Sequence, residues 1–169
     1  MIEIEKVLEN DKPKFEIIRN IAQETWPIAY GAILSMEQLE YMFAMMYSTT
    51  SLLEQAAKKN LQFIIAKENS DYLGFASYET DIHQTNKTKI HKIYILPSAQ
   101  GKGIGKKLID FVAVEAKMKK NIAIILNVNK YNSAQHFYLK IGFFTIEEEV
   151  IPIGNGYVMD DYVMEKMLE

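Results

Sequence analysis

The sequence has 169 residues, of which 49% are hydrophobic and 24% are charged. This length fits one domain, and the low content of Gly (8) and Pro (4) excludes collagen-like, low-complexity and wholly disordered proteins. A net charge of −3 disfavours a general nucleic-acid binder, which usually carries a basic excess. Arg19 is the only arginine, so specific base recognition by arginine is disfavoured as well.

The chain contains no cysteine, which excludes disulfides, thiolate zinc sites and a cysteine nucleophile. Its 3 histidines are scattered without the spacing of metal ligands, so we expect no metal. The segment from Met1 to Lys6 lacks the basic-then-apolar layout of a signal peptide, and no apolar run approaches the ~20 residues that span a bilayer. We therefore expect a cytoplasmic protein that binds neither membrane nor nucleic acid.

Hydrophobic spacing, capping residues and turn residues predict the first half of the chain as a strand, three helices and two strands. Ser35 followed by Gln38 is a capping box that marks the start of the second helix. The triplet Asn69-Ser70-Asp71 is typical of a hairpin turn. The predicted ranges are 2–7 (strand), 12–24, 36–47 and 51–59 (helices), and 61–67 and 72–78 (strands).

The second half alternates strands and helices. A nearly all-apolar run at 122–128 is typical of a strand buried on both faces. Gly142 marks the end of the last helix. The predicted ranges are 89–96 (strand), 103–119 (helix), 122–128 (strand), 132–141 (helix), and 143–150 and 157–168 (strands). This order predicts a mixed α/β sheet with one crossover, from 89–96 through a helix to 122–128.

A glycine-rich loop joins the strand at 89–96 to the helix at 103–119, and residues 100–106 read Gln-Gly-Lys-Gly-Ile-Gly-Lys. Glycines let the backbone approach a ligand closely, and the free N–H groups at a helix start attract an anion. The pattern indicates a phosphate or pyrophosphate ligand, and a tight turn without a ligand is the alternative. Dinucleotide and P-loop fingerprints are excluded, because Lys106 replaces the third Gly of the first and Lys107 replaces the Ser or Thr of the second.

Two blocks carry a resemblance to a known family. Ile-Tyr-Ile-Leu-Pro at 93–97, followed by the glycine-rich loop, resembles the acetyl-coenzyme A signature of the GNAT N-acetyltransferase superfamily. Asn-Ser-Ala-Gln-His-Phe-Tyr-Leu-Lys-Ile-Gly-Phe at 132–143 resembles its late helix and following strand. The order of elements agrees along essentially the whole chain. The segment 25–48 further resembles a bacterial branch that includes spermine/spermidine acetyltransferase-like proteins.

The resemblance implies one N-acetyltransferase domain over 1–169 with an α/β fold. Its sheet would be central, twisted, mixed and mostly antiparallel, with about seven strands and helices on both faces. The strands 89–96 and 122–128 would splay apart.

The resemblance also implies that acetyl-coenzyme A, the co-substrate, lies in the gap between the splayed strands. Its pyrophosphate would contact the glycine-rich loop, and its pantetheine arm would pair with backbone like an added strand. A backbone N–H near Ile95 would meet the thioester carbonyl. The resemblance implies that Asn132 contacts the cofactor. Its position at the start of the predicted helix is also typical of an N-cap. The expected cofactor-binding residues are Tyr94, Ile95, Gln100, Gly101, Lys102, Gly103, Ile104, Gly105, Lys106 and Asn132.

Tyr138 shares one helix face with Ala134, Phe137 and Ile141, so its side chain is predicted to point inward. A buried tyrosine of this kind can be purely structural. The resemblance implies that Tyr138 is the general acid, which gives a proton to the departing coenzyme A thiolate.

The base that removes a proton from the acceptor amine stays open between two residues. Simple alternation along the strand predicts that His91 lies beside the cofactor, on the face of Ile93 and Ile95. A packed or surface histidine is the alternative reading. Glu79, at the end of the preceding strand, is the rival base.

The first two helices and their connection would form the acceptor wall in the resembling family. Here they contain Glu24, Trp26 and Tyr30, and Pro27 predicts a helix break with an extended Trp26. Aromatic faces and a carboxylate attract ammonium groups, so the segment suits a small cationic amine such as a polyamine. A purely structural staple between the two helices is the alternative.

We therefore expect an acetyl-coenzyme A-dependent N-acetyltransferase that transfers the acetyl group directly to a primary amine in a ternary complex. Two alternatives remain open: a non-enzymatic acyl-coenzyme A-binding sensor, and an acetyltransferase of protein N-termini or lysines. A monomer and a homodimer are both compatible with the sequence.

Overall fold

One seven-stranded mixed sheet forms the centre of the computed structural model, which describes residues 1–169. Its strands lie in the order β1-β2-β3-β4-β5-β7-β6, and only β4 and β5 pair in parallel. The predicted mixed, mostly antiparallel sheet is confirmed. The strands are β1 (Ile2–Val7), β2 (Gln62–Glu68), β3 (Asp71–Glu79), β4 (Lys87–Ile95), β5 (Ala123–Asn129), β6 (Phe144–Gly154) and β7 (Tyr157–Met167).

Five helices cover the two faces of the sheet and create two cores. The first core lies between the sheet and the first three helices, and the second lies on the side of the two later helices. None of the helices combines the length and the apolar character needed to cross a membrane. The helices are α1 (Lys12–Tyr30), α2 (Met36–Tyr47), α3 (Thr49–Lys58), α4 (Ile104–Met118) and α5 (Ala134–Lys140).

The helix cap and the hairpin turn lie where the sequence predicts them. The Ser35 hydroxyl accepts a hydrogen bond from the Gln38 N–H at 3.1 Å and caps α2. Asn69 adopts a positive φ of 55° in the β2–β3 turn. The edge strand β6 contains Pro152, which is tolerated because an edge strand has one unpaired side.

Helix α1 runs through Pro27 to Tyr30, so the predicted break after residue 24 and the extended Trp26 are wrong. Proline removes only the N–H that would bond to the carbonyl of Gln23, a residue that is exposed to solvent. The Trp26 side chain is 3% exposed, and burying such a large apolar surface outweighs the local preference for a break.

The strands β4 and β5 pair only at their beginnings, where Lys87–Ile90 faces Ala123–Leu126. Beyond these residues β4 pairs on one side only, with β3. The predicted splay of the two strands is therefore confirmed. The backbone of Tyr94 and Ile95 is left facing the gap.

A β-bulge lies in β4 at His91. On β3, Ser77 faces Lys92 and the next residue, Tyr78, faces Ile90, so His91 has no partner. The extra residue breaks the alternation of side chains, and Ile90 joins the same core as Ile93 although the two are three positions apart. The predicted shared face of His91 with Ile93 is therefore wrong.

Candidate active site

A cleft of about 760 Å³ opens where β4 and β5 part. Its walls are the end of α1, the strands β4 and β5, the loop after β4, the start of α4, and α5. Residues from every block singled out in the sequence thus meet at one place. The apolar residues Ile95 and Phe137 and the tyrosines Tyr30 and Tyr138 belong to this lining.

The glycine-rich loop leaves open space beside its backbone. Gly101 and Gly103 have φ values of +80° and +75°, a conformation that strains any residue with a side chain. A Cβ atom at either position would meet nothing within 4 Å. At Gly105 a Cβ would lie 3.1 Å from Ile95 Cδ1 and Phe137 Cζ, so this glycine allows close packing of α4 on its neighbours.

The start of α4 presents free backbone donors. The helix has no side-chain cap, and its first backbone bond runs from the Lys107 N–H to the Gly103 carbonyl at 3.1 Å. The N–H groups of Ile104, Gly105 and Lys106 therefore lack partners within the helix. Together with the open loop, these donors fit an anionic group such as a pyrophosphate.

Not every basic residue of the loop faces the cleft. Lys106 lines it, and its ammonium pairs with the Asp110 carboxylate at 2.6 Å. Lys102 is exposed and lies outside the lining, whereas Gln100 and the glycines belong to it. The backbone amides and Lys106 are thus the positive groups at this end.

Tyr138 lies in the cleft, as do Ala134, Phe137 and Ile141 on the same helix face. Its side chain is 7% exposed, and its ring packs against Phe143 with centroids 5.7 Å apart. Burial, and to a smaller extent Tyr30, raises the pKa of the Tyr138 hydroxyl. The hydroxyl therefore stays protonated and can act as a donor.

Asn132 caps the start of α5 and also lines the cleft. Its side-chain oxygen accepts a hydrogen bond from the Ala134 N–H at 2.9 Å. The capping role read from its position is thus present.

His91 lines the cleft and contacts the rival base. Its Nε2 lies 3.1 Å from the Glu79 carboxylate, which is outside the lining. Burial, followed by the charges of Lys89, Lys92 and Lys59, lowers the pKa of His91 to about 3. The ring is therefore neutral at pH 7. A neutral ring that donates from Nε2 to Glu79 keeps a lone pair on Nδ1.

The three residues predicted for the acceptor wall occupy different environments. Tyr30 lines the cleft, and its hydroxyl lies 2.9 Å from the Tyr94 hydroxyl. Trp26 is buried between aromatic rings, with centroids 5.0 Å from Tyr30 and 5.2 Å from Tyr47. Glu24 is exposed and does not line the cleft. Of the three, only Tyr30 faces the space where an acceptor would bind.

Lys92 and Asn127 are polar residues of the lining that the sequence analysis did not predict. Lys92 is 6% exposed, and its ammonium donates to the Gln55 side chain while lying 5.8 Å from the Phe63 ring centre. Burial, and then Lys59, lowers its pKa to about 8. Asn127 faces the cleft from β5. Neither is marked by a local motif, because each depends on strand register. No group of three or more His, Cys, Asp or Glu side chains is placed to hold a metal ion.

Comparison with known proteins agrees with this geometry. Residues 32–165 match the family described as Acetyltransferase (GNAT) domain. The spermidine N(1)-acetyltransferase of Thermoplasma acidophilum is 29% identical, and the match covers 99% of this chain and 98% of that protein. A ribosomal protein bS18-alanine N-acetyltransferase of Haemophilus influenzae is 30% identical, over 70% of this chain and 77% of that protein.

A solved structure shares the fold over the whole chain. The crystal structure of PaiA N-acetyltransferase from Thermoplasma acidophilum, in complex with coenzyme A, matches with a TM-score of 0.81 at 28% identity. The match covers 99% of both chains. The fold is thus shared with a protein whose crystal structure contains coenzyme A.

Proposed function

The chain belongs to the Acetyltransferase (GNAT) domain family of acetyl-coenzyme A-dependent N-acetyltransferases, and we propose that its acceptor is a small cationic amine such as a polyamine. The observation that carries the acceptor class is the similarity, over 99% of the chain, to a spermidine N(1)-acetyltransferase. We also propose that residues 1–169 act as one domain, since both cores pack on one sheet.

In this proposal, backbone groups make more of the contacts to acetyl-coenzyme A than side chains do. The free N–H groups of Ile104, Gly105 and Lys106 bind the pyrophosphate, and the Gly101 and Gly103 conformations leave room for it. The β4 backbone at Tyr94 and Ile95 pairs with the pantetheine arm, because β4 has no strand partner on that side. The side chains of Gln100, Lys106 and Asn132 complete the proposed contacts, whereas Lys102 lies outside the lining.

Acetyl transfer occurs directly between the two substrates. The acceptor nitrogen forms a bond to the acetyl carbon, the carbon–sulfur bond breaks, and the departing sulfur takes a proton from Tyr138. A tyrosine suits this step because its hydroxyl is protonated at neutral pH, while a thiolate has a conjugate acid with a pKa near ~8.5. The chain has no cysteine that could carry the acetyl group as a thioester.

We assign proton removal from the acceptor to His91, with Glu79 as the group that orients its ring. Only His91 of the two lines the cleft, and the 3.1 Å contact holds its Nε2 on the carboxylate. The low pKa of His91 keeps the ring ready to accept a proton but makes it a weak base. Its contribution should therefore be smaller than that of Tyr138.

A second candidate acceptor is a protein N-terminus. It is favoured by the 30% identity to a ribosomal protein bS18-alanine N-acetyltransferase over 70% of the chain. A peptide would need an extended groove, whereas a polyamine needs negative charge beside the cleft. The two candidates therefore differ in the acceptor that wins a direct competition.

The test is thiol release from acetyl-coenzyme A with a panel of acceptors, followed by mass spectrometry of the products. The panel contains spermidine, putrescine, glucosamine and a peptide that begins with alanine. We expect the highest kcat/KM with spermidine or putrescine. A higher kcat/KM with the peptide would establish the second candidate. Coenzyme A binding without thiol release for any acceptor would indicate a sensor.

A further inference from the structure

Asp161 is a buried carboxylate without an ion-pair partner, and the charge of Lys89 acts on it only from a distance. The residue lies on β7 and is 5% exposed, and its Oδ1 has no hydrogen-bond partner in the protein. Its Oδ2 lies 3.4 Å from the side-chain nitrogen of Asn127, which also donates to Glu149 at 2.9 Å. Asn127 therefore joins two carboxylates and faces the cleft at the same time.

The sheet places Asp161 on the face of the cleft that α1 borders. Its neighbour Tyr162 packs against the core under α4, so Asp161 points to the opposite face. There it pairs across the strands with Asn129 and Glu149. Burial, and to a smaller extent the charge of Asp161, raises the pKa of Tyr30, whose side chain forms part of the cleft wall. Asp161 and Glu149 lie outside the lining of the cleft, and Asn127, which belongs to it, contacts both carboxylates.

The other two carboxylates of β7 have lysine partners. Asp160 pairs with Lys130 at 3.0 Å, and Glu165 pairs with Lys87. Asp161 and Glu149 take part in no ion pair. Removing a carboxylate from water without a cation is costly, and burial raises the pKa of Asp161. A cationic ligand would supply the missing partner.

We propose that Asp161, with Glu149 beside it, binds the second ammonium group of a diamine or polyamine acceptor, the nitrogen that is not acetylated. This inference rests on the proposed function. In the proposed complex the reacting nitrogen lies between β4 and β5, and β7 is the next strand, ~4.8 Å from β5. That offset suits an ammonium group a few methylenes from the reacting amine. A buried carboxylate and an ammonium form a strong charge-assisted hydrogen bond.

The experiment compares putrescine with n-butylamine, which has the same carbon chain but lacks the second nitrogen. We expect Asp161→Asn to lower kcat/KM for putrescine by roughly 30-fold or more, because a buried charge pair is lost. We expect kcat/KM for n-butylamine to stay within about twofold, since this amine has no group for Asp161. The control is Asp160→Asn, whose carboxylate already pairs with Lys130, and it should change neither value.

Two results would overturn the inference alone: an equal loss for both amines, or no loss for either in Asp161→Asn. Calorimetric titration with coenzyme A verifies that the variant is folded. If it does not fold, the wild-type protein still decides, because a putrescine kcat/KM no higher than that of 4-amino-1-butanol would contradict the subsite. Absence of thiol release with every amine in the wild type would overturn the proposed function, and this inference with it.

Discussion

Among the cleft residues, Tyr138 has the most specific chemical role in the proposed function. Tyr138→Phe keeps the ring that packs against Phe143 and removes only the hydroxyl. We expect kcat to fall by roughly 10² or more, the range for loss of a general acid, while coenzyme A affinity is nearly unchanged. Steady-state kinetics with a saturating amine, together with calorimetric titration, measure both. Tyr131→Phe, at a side chain that is 76% exposed, is the matched control. Full kcat in the variant, with chemistry rate-limiting, would remove Tyr138 from the mechanism.

Because Lys92 is buried, the stability of the folded protein depends on pH. Its pKa is lowered from 10.5 to about 8, so the unfolded chain binds the proton more tightly than the folded protein. The burial cost is therefore fully present below pH 8 and disappears as the pH rises to 10.5. We expect the free energy of unfolding of the wild type to gain about 3 kcal/mol over Lys92→Met across this range. Urea titrations of both proteins at several pH values measure the difference. A difference that does not vary with pH would show that Lys92 titrates normally.

Among the individual elements, the turn into α4 is the one where a glycine is required for ligand binding. Gly103→Asp places a carboxylate where the free amides of α4 attract an anion, so we expect coenzyme A affinity to fall at least tenfold, about 1.4 kcal/mol. Gly156→Asp is the matched control, since Gly156 has a similar φ of +79° and equally open space but lies in the β6–β7 turn. Calorimetry on both folded variants measures the affinity. Equal affinities in the two variants would contradict a pyrophosphate site at this loop.

The whole molecule depends on a sheet with an internal opening. The two sheet halves meet only where Lys87–Ile90 pairs with Ala123–Leu126, and the cleft walls come from both halves. A ligand in the cleft should stabilise both halves together, by about 2.7 kcal/mol at a hundred times its Kd.

Unfolding experiments with coenzyme A can follow one core and the whole chain separately. Trp26, the only tryptophan, reports on the core beneath α1, and circular dichroism reports on the whole chain. We expect coenzyme A to shift both transitions equally. A shift seen by circular dichroism but not by tryptophan fluorescence would mean that the two halves unfold independently.

Most of the fold and the anion-binding loop follow from signals that lie close together in the chain. The glycine spacing at 101–105, the helix face of Tyr138 and the hairpin turns each depend on neighbours within a few residues, where backbone geometry governs. The seven strands and the splay were therefore predictable from the order of elements and the resemblance. The boundaries of α1 were not, because burial of Trp26 outweighs the local effect of Pro27.

The sequence by itself determined the α/β fold, the loop that suits a pyrophosphate and the inward tyrosine, since each is encoded in a contiguous segment. Only the tertiary structure decided the rest of the cleft. The bulge at His91 depends on register with β3, and the contact between Asn127 and Asp161 joins residues 34 positions apart. Such pairs are set by which strands are neighbours and by burial across the sheet, and no local pattern records either.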